Sequence, residues 1–278
     1  MQAIPLTLII IGIAALLGLV IGSFLNVVVY RYSNQISLLR ESRCPNCDVP
    51  VKPWQNVPVV SWILLRGQCA SCGSPISVRY PIVELSTGLA FAAVTWWSLG
   101  GGATHGDTAV WPVLVVTIAF LYLAAVCIVL TLIDLDTRRL PNAIVLPSYI
   151  VGGVLLTIAA ALTGDWWSLA RGIAGMAILY AFFQLLRVIR PGGMGGGDVK
   201  LAGVLGLFLG WLGWGALAVG AFAAFLYGGV FGLALIASRR AGRKTAIPFG
   251  PWMILGAWTG IFAGERLANW YLTLYLAN

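Results

Sequence analysis

Residues 110–133 read VWPVLVVTIAFLYLAAVCIVLTLI, and the next six are Asp134, Leu135, Asp136, Thr137, Arg138 and Arg139. The apolar stretch carries no charge and exceeds the ~20 residues a helix needs to cross the hydrocarbon core of a bilayer. It stops on two acids and two bases, as a membrane helix does where it meets water. The same reading finds further runs at 6–30, 82–100, 142–163, 167–187, 200–213, 214–237 and 249–275. The expected fold is therefore an all-α polytopic membrane protein of about eight transmembrane helices. If Gly213 does not break the chain, 200–237 is one bent helix and the count is seven.

Composition supports the bilayer. Hydrophobic residues make up 60% and charged residues 9%, against about 25% charged in an average soluble domain. Mean hydropathy is +0.92. An ordinary soluble enzyme, a disordered chain and a disulfide-rich secreted domain are all excluded. The net charge of +8 would suggest nucleic-acid binding on a soluble protein. Here it is read by position instead, and the expected environment is membrane lipid, with no nucleic-acid partner. No basic segment precedes the first run and no small-residue cleavage site closes it, so it reads as a span rather than a removed signal.

Lys and Arg mark the cytoplasmic side of a membrane protein. Arg31, Arg40, Arg43, Lys52, Arg66 and Arg79 follow the first run; Arg138 and Arg139 follow the third. Arg187, Arg190 and Lys200 surround the next such segment, and Arg239, Arg240, Arg243 and Lys244 the last. The opposing turns near 101–109 and 163–166 hold Asp107 and Asp165 and no Lys or Arg. The pattern predicts an N-terminus outside, all four basic segments in the cytoplasm and, with eight spans, a C-terminus outside.

The one sizeable polar segment, 31–80, is then cytoplasmic. It contains Cys44-Pro-Asn-Cys47 and Cys69-Ala-Ser-Cys72. Two CxxC knuckles at this separation read as a tetrahedral zinc-ribbon-like site of four thiolates. The spacer is one residue longer than the usual 15–20. A segment this small buries too little surface to fold well alone, so a metal staple makes physical sense. Two disulfides or four free thiols are the alternatives, and a reducing cytosol disfavours the disulfides. Cys127 lies inside an apolar run and reads as a small core residue.

Ionisable groups within spans are costly and mark function. Asp134 and Asp136 close the third run, Asp198 follows the glycines 192–193 and 195–197, Glu84 opens the second run, and Glu265 with Arg266 interrupts the last. The fourth and fifth runs form a hairpin that leaves the cytoplasmic face and returns, which brings Asp134 and Asp198 to one membrane level. Two carboxylates in one site share a proton. The ionised member can activate water while the protonated one polarises a peptide carbonyl, which is aspartic proteolysis. Each aspartate also has a structural reading: Asp134 and Asp136 neutralised by Arg138 and Arg139, and Asp198 a helix cap.

Gly195-Gly196-Gly197-Asp198 has the GxGD form of intramembrane aspartyl proteases. Further blocks run in order: Gly22 to Arg31, the two CxxC pairs, Asn56 to Trp62, Arg66 to Cys69, Arg79 to Glu84, Ile133 to Asp136, Leu140-Pro141, Gly195 to Lys200, and Ile247 to Pro251. Together they resemble the type IV prepilin peptidases (prepilin leader peptidase/N-methyltransferases). Asn142 departs from that pattern, since many relatives carry Asp after the Leu-Pro.

The resemblance implies that Asp134 and Asp198 are the catalytic pair, that Gly195, Gly197 and Lys200 belong to the active-site loop, and that Asp136 lies outside the pair. A helix step of two residues turns about 200°, so Asp134 and Asp136 cannot face the same partner. It implies prepilin or pseudopilin substrates of a type IV pilus or type II secretion system, cut at the cytoplasmic boundary of the inner membrane. It further implies N-methylation of the new terminus with S-adenosylmethionine. Asn26, Arg31 and Glu84 converge at the cytoplasmic ends of the first two runs and are the candidates for methyl transfer. Alternatively, Arg31 and Glu84 form an ion pair that locks two helices. Gly22 and Ser23 read as close helix-packing positions. His105 reads as solvated on the outer turn.

The expected organisation is residues 1–30 as a first transmembrane helix, 31–80 as a cytoplasmic zinc-binding domain and 81–278 as a transmembrane aspartyl protease domain. Two rival functions remain at this point: an ion-coupled transporter, in which the carboxylates would relay ions, and a zinc-ribbon membrane scaffold of a secretion system.

Overall fold

The computed structural model describes residues 3–102, 109–190, 194–238 and 248–276. Asp107, His105, Gly192, Gly193, the basic residues Arg239 to Lys244, and Ile247 lie outside the described residues. Among the described residues there is no strand, and ten α-helices follow in order. They are α1 (Ala3–Ser33), α2 (Val60–Leu64), α3 (Arg79–Leu99), α4 (Val110–Thr137), α5 (Asn142–Thr163), α6 (Trp166–Ile189), α7 (Gly196–Leu212), α8 (Trp214–Ala237), α9 (Gly250–Thr259) and α10 (Glu265–Leu276).

Six of these are long and apolar enough to cross a membrane: α1, α3, α4, α5, α6 and α8. The other two expected runs depart from the simple picture for physical reasons. The sixth is α7, only 17 residues long. It is apolar all round, and from Leu201 to Leu212 every residue is buried, as expected of a helix enclosed by others. The last run is divided: α9 passes through a π-helical turn, Gly260–Gly264, into α10. Glu265 sits at that break, and its Oε1 accepts the backbone N–H of Ala216 at 3.0 Å. One of the free donors at the start of α8 is thereby satisfied. Gly213 stands between α7 and α8 in extended backbone, so 200–237 is two helices.

The element ends follow from local chemistry. Gly164, at φ +75°, ends α5 in the left-handed conformation that glycine adopts without strain. Asp165 then caps α6 by accepting the Ser168 N–H at 3.0 Å. Two residues thus reverse the chain and make the α5–α6 hairpin antiparallel. At the other side of the membrane Arg138 (φ +52°) closes α4, its N–H bonded to the Asp134 carbonyl. Pro141 precedes α5.

Small residues set the closest approaches. A side chain on Gly22 of α1 would lie 2.7 Å from the Glu84 Cα of α3, so those backbones meet directly, as the sequence suggests. Gly175 of α6 and Gly206 of α7 interlock in the same way. The centre is filled by edge-to-face aromatics: Trp97, Phe120 and Phe208 have successive centroid separations of 5.1 and 5.3 Å. The polar segment between α1 and α3 has little regular structure beyond a 3₁₀ turn, Pro53–Asn56, and α2.

Candidate active site

Asp134 sits one turn before the end of α4 and is 4% exposed. Its Oδ2 accepts the backbone N–H of Gly250, the first residue of α9, at 3.1 Å. Asp198 is the third residue of α7, and its Oδ2 accepts the Gly195 N–H at 3.0 Å, closing the loop before the helix. Leu140 packs between the two arms: a Cβ on Gly197 would lie 2.8 Å from the Leu140 Cβ, and one on Gly250 would lie 3.6 Å from its Cδ2. The α4–α5 corner, the glycine loop and the start of α9 therefore enclose both carboxylates.

Asp136 points elsewhere. It pairs with Arg79 of α3 at 2.8 Å, and the other Arg79 Nη lies 3.4 Å from the Leu132 carbonyl. The partner is thus Arg79 and not the adjacent Arg138 or Arg139. Lys200 bonds to Asn142 and to neither aspartate, its Nζ donating to Asn142 Oδ1 at 2.9 Å, while the Tyr149 hydroxyl donates to its backbone carbonyl. The departure at Asn142 thus meets a lysine with a neutral acceptor instead of a carboxylate. Arg187 covers Gly196 at the loop's outer side.

A second group forms where α1 and α3 leave the membrane. Asn26, Arg31 and Glu84 are each under 8% exposed. Asn26 Nδ2 donates to the Tyr80 carbonyl at 3.0 Å, tying α1 to the first turn of α3. Glu84 Oε2 accepts the Val59 N–H at 2.7 Å, and the Ser23 hydroxyl also bonds to it. Val59 holds φ +63°, a strained conformation for a β-branched residue. Arg31 does not pair with Glu84; it donates to the carbonyls of Ser37 and Leu38. Among the described residues Glu84 makes no ion pair. Tyr30, Arg31, Tyr80 and Glu84 line a cavity of about 460 Å³ that extends to Cys44 and Cys69. Glu84 and two tyrosines line this cavity together with Arg31, Arg40 and Arg43, which suits a ligand carrying both a cation and a carboxylate, so the lining fits a sulfonium compound such as S-adenosylmethionine. Val59 and Ser23 carry no recognisable sequence signal for this role beyond their place in the ordered blocks.

The four cysteines of the polar segment form one cluster. Their sulfurs all lie within 4.8 Å of one another, near the ~3.8 Å sulfur separation implied by tetrahedral Zn–S bonds of about 2.3 Å. None is in a disulfide. The knuckles are copies of one turn: Cys44 N–H bonds to the Val49 carbonyl and Cys69 N–H to that of Ser74. Four residues after each first cysteine the backbone turns left-handed, at Asp48 (φ +53°) and Gly73 (φ +71°). The Ser74 hydroxyl and backbone N–H beside Cys72 bring its thiol down to about 6, while at Cys47 the Val49 N–H is outweighed by burial and the neighbouring sulfurs, which push that thiol up to about 11. The donor set and geometry fit a zinc ion.

Residues 16–98 match the family model described as the bacterial peptidase A24 N-terminal domain, and residues 121–236 match the type IV leader peptidase family. The chain is similar to the prepilin leader peptidase/N-methyltransferases of Neisseria gonorrhoeae (35% identical), Aeromonas hydrophila (32%) and Pseudomonas aeruginosa (31%). The matches cover 95%, 94% and 92% of this chain and 95%, 93% and 91% of the relatives, respectively. No solved structure gives a significant match.

Proposed function

The chain belongs to the type IV leader peptidase family, and from that membership we propose its function: a multi-pass inner-membrane endopeptidase that removes the leader from prepilins and N-methylates the residue it exposes. Pseudopilins of a type II secretion system belong to the same substrate class. The observation that carries the peptidase reading is the meeting of two acidic side chains from α4 and α7, beside a glycine loop, at the end of the spans.

Asp134 and Asp198 are assigned as the catalytic pair, with Gly195 closing the loop before α7, and Gly197 and Lys200, expected in that loop, in the first turns of α7 itself. The two carboxylates share one proton. The ionised one takes a proton from water as its oxygen attacks the scissile carbonyl, and the protonated one donates to the carbonyl oxygen. A tetrahedral diol results. It collapses as a proton passes to the leaving nitrogen and the C–N bond breaks, giving a carboxyl terminus on the leader and a free amine on the pilin. Gly250 N–H fixes the orientation of Asp134 throughout.

The methyl-transfer site is assigned to the cavity beside Asn26, Arg31 and Glu84. S-adenosylmethionine, when bound, supplies a cationic sulfonium and a transferable methyl group. Glu84 would face that positive charge and take the proton from the substrate ammonium. Asn26 holds α1 against Tyr80, and Arg31 fixes the chain at Ser37 and Leu38. Zinc on Cys44, Cys47, Cys69 and Cys72 would tie the two knuckles together and support the cavity wall.

The arrangement in the membrane follows from the basic residues: N-terminus outside and residues 31–80 cytoplasmic. Within it, residues 1–30 form the first transmembrane helix, 31–80 the zinc-binding domain and 81–278 the protease domain. Incubating purified protein with a prepilin and S-adenosylmethionine, followed by mass spectrometry of the product's N-terminus, tests both activities at once. Cleavage at the leader junction with a mass gain of one methyl group is expected. An intact precursor would remove the peptidase reading.

A further inference from the structure

The inner ends of α4 and α9 hold the Asp134–Gly250 contact, and both helices continue from it into an apolar trough. α3 and α9 each pack on α4 but barely touch each other, leaving between them a cavity of about 390 Å³. One wall is small in its middle: Ser86, Ala90 and Ala93 of α3, at i, i+4 and i+7 on one helix face, between Ile82 and Val83 at one end and Val94 at the other. The other wall is large: Ile254 and Trp258 of α9 and Phe262 of the π turn. The floor is α4, with Cys127 and Thr131. Ser86, Ala93 and Phe262 are exposed, so the trough opens sideways on the surface that faces lipid.

The two ends of the trough differ. At the outer end Trp97 of α3 meets Phe262 edge-to-face at 5.8 Å, and Phe262 stacks on Trp258 at 5.5 Å, so aromatic rings close it. Toward the cytoplasm nothing comparable bridges α3 and α9. There the floor stripe Cys127, Thr131 continues at i+7 to Asp134, and the wall residue Ile254 lies one turn from Gly250. Along α3 the trough's lining runs from Ile82 to Val94, about 18 Å at ~1.5 Å per residue. Its cytoplasmic end is the one nearest the candidate active site.

We propose that this trough docks one apolar helix of the substrate, entering sideways from lipid and delivering its cytoplasmic end to Asp134 and Asp198. The assignment rests on the peptidase reading above. Three features select a helix from the substrate. The small wall lets a helix backbone approach closely. The trough is apolar over about three helical turns, and the face of α4 that floors it carries Asp134 at its cytoplasmic end. The aromatic stop at Trp97 and Phe262 sets how far the helix slides, and so which peptide bond reaches the aspartates.

The test is cysteine cross-linking in membranes, with Asp198→Asn to hold substrate uncleaved and Cys127→Ala to remove the native thiol. Ala93→Cys is paired with single cysteines placed along the apolar segment of a prepilin. Cross-links recurring every three or four substrate residues are expected, with none from Ile150→Cys, which is 69% exposed on α5, a helix that does not line the trough. In the otherwise unmutated protein, Ala90→Phe should lower kcat/KM for prepilin at least about tenfold, chiefly through KM, with cysteine-bound metal unchanged. Ile150→Phe should leave it unaltered.

Cleavage by the unmutated protein is measured in parallel. If cleavage is normal but cross-links form from Ile150→Cys and not Ala93→Cys, or only between two copies of this chain, the trough assignment is overturned and the peptidase reading stands. Unchanged kcat/KM in Ala90→Phe has the same meaning. Absence of cleavage by the unmutated protein overturns both.

Discussion

The backbone N–H of Gly250 donates to Asp134 Oδ2 at 3.1 Å, across 116 residues of sequence. The contact joins the first residue of α9 to the last turn of α4. Donors at the start of a helix have no partner within it, and here one of them is fixed on a buried carboxylate. Asp198 is held in a related way by the Gly195 N–H at the start of α7. Each carboxylate of the proposed pair thus has one oxygen on a backbone donor, and one left for chemistry.

Gly250→Ala should impair cleavage more than its size suggests. A Cβ there would lie 2.7 Å from Asp134 Oδ2, so the carboxylate or the start of α9 must shift. A displacement on that scale at a reacting group costs on the order of 100-fold in rate. Prepilin turnover by membranes carrying the variant at normal abundance measures it.

Asp136→Asn should retain substantial cleavage, because that side chain pairs with Arg79 at the membrane surface. Both partners are about a third exposed, so losing the pair should cost no more than ~1 kcal/mol of stability. Thermal unfolding in detergent and a cleavage assay check the two halves of the expectation.

Much of this organisation is legible in the sequence because bilayers impose simple rules. The uninterrupted run before Asp134, the one-sided basic residues and the paired CxxC knuckles each follow from one dominant cost: burying charge or leaving a small segment without a core. The i to i+2 argument separates Asp134 from Asp136, and the structure gives them different partners. What escapes is tertiary. Glu265 reads as an interruption of a span, but it caps α8 from the far side of a π turn. Arg31 and Glu84 invite pairing by sign, yet backbone groups take both. Val59 is an unremarkable apolar letter, and its value lies in a left-handed φ that only the surrounding fold can hold. The trough between α3 and α9 likewise depends on which helices fail to touch.

Metal analysis of the purified protein should give close to one zinc per chain. The double variant Cys44→Ser, Cys69→Ser takes one thiolate from each knuckle and should lose it. Zinc retained in full by that variant would place the metal elsewhere.

Glu84→Gln should impair methyl transfer to a pre-cleaved pilin peptide by at least about tenfold, while cleavage changes by less than about twofold. The amide still accepts the Val59 N–H but carries no charge toward a sulfonium. Binding of S-adenosylhomocysteine, which lacks that positive charge, should change little, whereas affinity for S-adenosylmethionine should fall. Equal loss of both affinities would make Glu84 a support for the cavity wall instead.

The central claim is that Asp134 and Asp198 act as one unit in peptide hydrolysis. Its most direct measurement is the cleavage rate of a prepilin by Asp134→Asn and by Asp198→Asn, each purified with its zinc content intact. Both variants should be inactive, with the loss in either equal to that in the double variant, since groups that act as a unit are not additive. Full processing by either single variant would contradict the account.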